Sequence, residues 1–324
     1  MMAESELYYN FNNDKRGIAL LIHNEEFDRN SGYKDRPGDE GDFTRMSEMF
    51  RSLGFEVRQN RNLTATKIRE ESQRVASLAD VHKKSDCFVC VIASHGEEML
   101  LGRKDNVKIK EHVIIGTDGK GVKTKDLVEM FDNDHCEELK DKPKFFFIQA
   151  CRTSKDTIWG MDRGHTITVT DRIHKENTPS AKKSDGLDSV VIDDECNSDY
   201  ELDSKHSSSV ELHIQRRPVV HQVTNVDCPE DTLLMFASMS DNFAVRNAET
   251  GGWLLTSLYS HVTQGLSSGE IWRTEFIHIL NRTLKEMTTK NFKPADMSSP
   301  LYGAFSLGCL THSLTKDVIF TKKT

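Results

Sequence analysis

Residues 144–152 read Lys144-Phe145-Phe146-Phe147-Ile148-Gln149-Ala150-Cys151-Arg152. An unbroken apolar and aromatic run of this length is the pattern of a strand buried on both faces. It ends abruptly in a thiol flanked by polar groups. In parallel α/β sheets, reacting groups collect beyond the carboxyl ends of the strands, which makes Cys151 a candidate nucleophile. Cysteine is also among the most often buried residue types, so taken alone Cys151 is equally a packing residue. The choice turns on finding a base.

A second run of the same kind supplies one. Asp86-Cys87-Phe88-Val89-Cys90-Val91-Ile92-Ala93 leads into Ser94-His95-Gly96, so a histidine stands at the end of another buried strand. Two such strands in one sheet bring Cys151 and His95 to a common edge. His95 lies 56 residues upstream of Cys151. Together they resemble the caspase signature, a Gln-Ala-Cys-[Arg/Gln/Gly]-Gly strand end with its His about 50 residues before it. Thr153 stands where that signature has Gly.

The 324 residues suffice for one large α/β domain or two small ones, and 36% hydrophobic content supports a sizeable core. A net charge of −8 argues against a general binder of nucleic acid or membrane surfaces. The basic pairs Lys182-Lys183 and Arg216-Arg217 lie in polar sequence and read as solvated loop. No run reaches the roughly 18 to 20 apolar residues of a membrane span, and there is no secretory h-region, so a cytoplasmic location is expected. Seven scattered cysteines suit reduced thiols better than a disulfide framework. Cys87 and Cys90 have C-x-x-C spacing, but on a strand they point to opposite faces, which excludes a shared zinc or redox site.

Along the chain, Arg16–Ile22 reads as the first strand, after only 15 residues, and so leaves no room for a recruitment domain. A helix is expected over 42–53, stopped by Gly54, then a strand from Phe55 and a helix capped by Thr64. An excursion over 113–122 and a helix over 124–131 precede the Cys151 strand. Gly116–Thr124 nearly spells a phosphate loop, but Val122 separates the second Gly from the Lys and breaks the required geometry, so it reads as a turn. Further on come a strand at 232–238, helices over 253–262 and 268–287, and a last strand over 309–320. Strands alternating with helices predict one α/β unit, a mainly parallel sheet with helices on both faces.

Further stretches resemble caspase motifs over nearly the whole chain. Arg36-Pro37-Gly38-Asp39-Glu40-Gly41-Asp42 is similar to the Arg-x-Gly-x-x-x-Asp loop, and Val245-Arg246-Asn247 with Gly252-Trp253 to the small-subunit substrate-binding segment. Leu314-Thr315-Lys316-Asp317 resembles the last strand, through which these enzymes pair. The resemblance implies a six-stranded caspase fold built from a large and a small subunit. It implies Cys151 as nucleophile, His95 as acid and base, and the amides of Gly96 and Cys151 as an oxyanion hole. Arg36, Gln149 and Arg246 would hold an Asp side chain by bidentate, charge-assisted contacts. Phe243 and Val245 would wall the neighbouring pocket, widened because Val245 is smaller than the Trp common in executioner caspases. Asn247 and Trp253 match positions near a distal pocket. No cofactor and no metal are implied.

Periodicity disappears between about Arg163 and Val223. Residues 185–203 hold eight acidic side chains and no basic one, the composition of a solvated linker. Exposed linkers are where chains are cut. Asp185-Gly186-Leu187-Asp188, followed by Ser189, and Tyr200-Glu201-Leu202-Asp203, followed by Ser204, are the candidate cleavage sites. The expected organisation is a short peptide (1–15), a large subunit (16–163), an acidic linker (164–223) and a small subunit (224–324). The expected partners are protein substrates with Asp before the scissile bond, an upstream activating protease, and a second copy of the large and small pair. A metacaspase-like enzyme cutting after Arg or Lys would need an acidic pocket, and a nucleotide switch would rest on the broken phosphate loop. A catalytically impaired homologue acting as a regulatory partner is the non-enzymatic alternative, supported only by Thr153.

Overall fold

The computed structural model describes residues 4–104, 107–153, 169–170, 191–192, 222–225, 228–247, 249–290 and 306–323. Six strands make the central sheet: β1 (Ile18–His23), β2 (Glu56–Arg61), β3 (Phe88–Ala93), β4 (Lys144–Gln149), β5 (Thr232–Phe236) and β6 (Cys309–His312). Their order is β6-β5-β4-β3-β1-β2, all parallel except β6, which runs antiparallel to β5. This is the mainly parallel α/β sheet that the alternation of strands and helices predicts, with the six strands that the resemblance implies.

The buried strands sort their residues by parity. Ala19, Leu21, Val89, Val91, Phe145 and Phe147 join one core with the helices α1 (Asp39–Ser52), α3 (Trp253–Ser268) and α4 (Phe276–Thr289). Ile18, Leu20, Ile22, Phe88, Cys90, Ile92, Phe146 and Ile148 join the other, with α2 (Ala65–Ala76). A two-residue period explains why runs apolar at every position are needed: both faces are covered. Cys87 and Cys90 fall in opposite cores, and burial pushes both thiols well above the usual thiol range. Thr64 caps α2, its Oγ1 accepting from Lys67 N at 3.3 Å. The chain leaves β1 toward β2 and returns on the other side as β3, so a crevice opens beyond the ends of β1 and β3.

Four expectations need correction. The hairpin is longer than 113–122: Gly96–Lys104 pairs antiparallel with Val107–Ile115, and Gly121–Lys123 adds a short third strand. Gly96–Lys104 (Gly-Glu-Glu-Met-Leu-Leu-Gly-Arg-Lys) lacks the two-residue alternation that marks a half-buried strand, so its pairing is not evident from the residues. Gln222–Asn225, straddling the end of the stretch that reads as linker (164–223), pairs in parallel with Lys108–Glu111. The helix over 268–287 is divided: Gly269 ends α3 in a left-handed conformation, and a 3-10 turn at Glu270–Trp272 precedes α4. The last strand ends at His312, so Leu314–Asp317 lie outside it. The N-terminal segment takes their backbone groups instead: Tyr9 N donates to Asp317 O at 3.1 Å and Asp317 N to Leu7 O at 2.9 Å.

The same junction buries Tyr9. Its hydroxyl donates to Asp231 Oδ1 at 2.5 Å, Thr315 Oγ1 donates to the same oxygen at 2.8 Å, and Thr315 N donates to Tyr9 Oη at 3.0 Å. Burial first, then the Asp231 contact, pushes the phenol up to about 12. A raised pKa means the folded state holds the proton longer than the unfolded state. The stabilisation is therefore complete below the unfolded phenol pKa of about 10 and is lost as pH rises from there through about 12. Denaturant unfolding of Tyr9→Phe beside the unsubstituted protein at pH 9 and pH 11 should show the smaller alkaline loss in the variant; equal losses would refute this assignment.

Within Gly116–Thr124, residues 116–120 form a turn that leads into the short strand Gly121–Lys123. Gly116 N donates to Lys120 O at 2.8 Å, Lys123 pairs with Glu111 at 3.0 Å, and Thr124 binds His112. Among the described residues no helix is long and apolar enough to cross a membrane.

Candidate active site

The register of β3 against β4 sets Ala93 opposite Gln149, so His95 and Cys151 each leave the sheet two residues later at one edge. Asn24, just beyond β1, organises this edge. Its Nδ2 donates to Ser94 Oγ at 3.2 Å and its backbone N to Ala93 O at 2.9 Å. Ser94 Oγ donates to Ile115 O at 2.6 Å, and Ser94 N to Gln149 O at 3.2 Å. The polar residues that end the apolar runs thus replace the ladder bonds that the strands give up.

His95 is buried against two rings, Phe27 at 4.7 Å and Tyr33 at 5.2 Å between centroids. Its Nε2 lies 2.8 Å from the Lys34 carbonyl. A carbonyl oxygen only accepts, so Nε2 carries the proton and Nδ1 the lone pair. That arrangement makes Nδ1 the basic nitrogen and fixes the ring plane. The Lys34 carbonyl is a site component that sequence reasoning missed, and no side-chain pattern could have revealed it.

Cys151 is buried. Gly96 passes so close behind it that a Cβ there would lie 2.7 Å from the Cys151 carbonyl oxygen and 2.9 Å from Ala150 Cβ. Only glycine allows this approach. Beyond the cysteine, Arg152 N donates to Asn242 O at 3.0 Å and Asp241 N to Arg152 O at 2.9 Å. The buried Arg152 guanidinium pairs with the buried Glu98 at 2.9 Å and lies over the Phe236 ring. Glu98 also accepts from Ser240 Oγ at 2.6 Å. Thr153, in the signature's Gly position, pairs in parallel with Glu97, and its carbonyl accepts from Glu98 N at 2.7 Å. It is not among the residues with positive φ, so the position makes no demand for glycine.

The remaining candidates gather beside this edge. Arg36 is fully buried, its Nη1 donating to Asn24 O at 2.7 Å. Arg246 is also buried, and its Nη1 donates to the carbonyl of Pro37, the residue after Arg36. Gln149 Nε2 reaches Val245 O at 3.4 Å. The loop of Arg36 and the segment of Arg246 are tied by Asp42, whose Oδ2 accepts from Gly252 N at 2.6 Å and whose Oδ1 pairs with Arg45 at 2.8 Å. Gly251 has φ +91°, and a Cβ there would lie 2.1 Å from Asp42 Oδ1. Phe243 is half-buried against the core and Val245 is buried. Asn247 Oδ1 accepts from Glu249 N at 2.7 Å and Thr250 N at 3.1 Å, which builds the turn leading to Gly251. Trp253 opens α3, nearly buried, with its N donating to Val245 O at 3.2 Å. Asp188 and Asp203 lie outside the described residues. No group of three or more metal-ligating side chains occurs among the described residues.

A thiol, an oriented imidazole, a close-packed glycine amide and two buried guanidiniums therefore share one sheet edge. A family model described as the caspase domain matches residues 16–318. Caspase-3 of Oryctolagus cuniculus is 26% identical over 312 residues, covering 96% of this chain and 86% of that protein. Caspase-3 of Mus musculus is 27% identical over the same length with the same coverage. Caspase-8 of Mus musculus is 34% identical over 188 residues, covering 54% of this chain and 36% of that protein. The chain belongs to the caspase family of cysteine peptidases.

Proposed function

We propose that this protein is a cysteine endopeptidase that cuts proteins after Asp, made as a zymogen and serving apoptosis as an executioner-type enzyme. The observation that carries the reading is the convergence of Arg36, Gln149 and Arg246 beside the strand end that bears Cys151. Two guanidiniums and an amide donor suit a carboxylate, and repel the Lys or Arg side chain a metacaspase-like enzyme would need.

In this reading the Cys151 thiol gives its proton to Nδ1 of His95, and the thiolate attacks the carbonyl carbon of the substrate Asp. The amides of Gly96 and Cys151 receive the developing oxyanion. Collapse breaks the C–N bond while His95 returns the proton to the leaving amine, and a water activated by His95 then hydrolyses the thioester. The Lys34 carbonyl, accepting from Nε2, holds the imidazole in the required tautomer. An upstream protease cutting after Asp188 or Asp203 would separate the large and small subunits, and the β6 edge is where a second copy would pair. The impaired-homologue alternative gains no support from Thr153, whose backbone is ordinary.

Purified protein should turn over fluorogenic peptides with Asp before the scissile bond and show no measurable turnover with Asn, Glu or Lys there. Intact mass of the active preparation should show two polypeptides divided at Asp188, Asp203 or both. Turnover independent of that residue would contradict the pocket assignment, and an active uncut chain would contradict activation by cleavage.

A further inference from the structure

The hairpin that sequence reading underestimated carries a histidine the proposed mechanism does not use. His112 stands opposite Glu98 in the ladder between Gly96–Lys104 and Val107–Ile115. Side chains directly opposite in an antiparallel pair share one face. Here that face meets two consecutive residues, Glu98 holding the Arg152 side chain and His112 the Cys151 backbone.

His112 Nε2 is 3.1 Å from the Cys151 carbonyl oxygen, and its Nδ1 is 2.7 Å from Thr124 Oγ1. The carbonyl accepts, so Nε2 bears the proton and the Thr124 hydroxyl donates to Nδ1. Both ring nitrogens are satisfied by a neutral ring, which stands edge-on to Phe236 with 5.3 Å between centroids. Burial, and then the Arg152 guanidinium, lowers its pKa to about 3. His112 therefore stays neutral at physiological pH and does not compete with His95 for the thiol proton.

The peptide group after Cys151 is held at both ends, its carbonyl by His112 and its N–H by Asn242 O at 3.0 Å. Fixing that plane fixes the ψ of Cys151, and with it the direction of the backbone that carries both Sγ and the Cys151 amide. Gly96 lies in the same cluster, since a Cβ on it would sit 2.9 Å from His112 Nε2 as well as 2.7 Å from the Cys151 oxygen. We infer that His112 is a positioning residue: by donating to the Cys151 carbonyl it sets the alignment of the Gly96 and Cys151 amides that would receive the oxyanion. The inference rests on the peptidase reading above and adds to it a residue from the hairpin.

The test compares His112→Gln with His112→Met in the full-length protein, with concentrations normalised by titrating Cys151 with an irreversible thiol reagent. The two side chains match in length and shape, and only Gln can donate to the Cys151 oxygen. Misalignment of reacting groups by about 1 Å costs on the order of 10²-fold. The Met variant should lose about 10- to 100-fold in kcat with KM within about twofold, and bind a peptide-Asp aldehyde weaker by a similar factor; the Gln variant should recover most of both. If the Met variant does not fold, His112→Asn, whose amide is too short to reach, replaces it in the comparison. Equal kcat for donor and non-donor variants, or a loss confined to KM, would overturn the role of His112 while leaving the peptidase reading intact. Absence of cleavage after Asp by the unsubstituted protein would remove the peptidase reading and this inference together.

Discussion

Cys151→Ala will reduce cleavage after Asp by about 10⁴-fold or more in kcat, with thermal stability close to that of the unsubstituted protein. The thiol is buried at a strand end, so losing one sulfur there leaves only a small void. Residues that act as a unit are not additive. His95→Ala should therefore fall nearly as far, and the double variant no further. The imidazole is held between Phe27, Tyr33 and the Lys34 carbonyl, so this variant will also lose packing, and its melting temperature must be read beside its rate. Activity above about one hundredth of normal in Cys151→Ala would place the nucleophile elsewhere.

The second large effect concerns the arginines. Removing one partner of a buried, hydrogen-bonded charge pair costs about 2 to 5 kcal/mol, or about 30- to 5,000-fold. Arg36→Ala and Arg246→Ala should each lose that much in kcat/KM on Asp peptides, and Lys at either position should recover little, because an ammonium lacks the planar fork. Both side chains also donate to backbone carbonyls, of Asn24 and Pro37, so some loss of stability will accompany the change. Discrimination separates the two effects: a binding role collapses the preference for Asp over Asn, whereas partial unfolding lowers both rates in proportion. Kinetics on the matched peptide pair decide between them.

Much of this was legible in the chain because burial on both faces leaves a plain trace. The runs of β3 and β4 could be read directly, and so could the residues at their ends, His95 and Cys151. Arg36 and Arg246 were different: no spacing joins residues 210 positions apart, and only the family resemblance paired them. The structure adds the link, Asp42 holding Gly252 N. Backbone contributors such as the Lys34 carbonyl leave no trace in residue types. The hairpin escaped because its first strand, Gly96–Lys104, has no two-residue alternation, and its role was hidden with it. Glu98, two residues after Gly96, is buried against Arg152, a pairing that no spacing in the chain announces.

The central claim, that Cys151 attacks a carbonyl presented by an Asp held in the arginine pocket, is tested most directly by covalent capture. The protein would be incubated with a peptide whose C-terminal Asp carries a thiol-reactive ketone, digested, and mapped by tandem mass spectrometry. The account predicts one adduct, on Cys151, formed much faster than with the matching Asn or Lys reagent and slowed in Arg36→Ala. Adducts spread over other cysteines such as Cys228 and Cys309, or labelling of Cys151 at equal rates whatever the terminal residue, would contradict it.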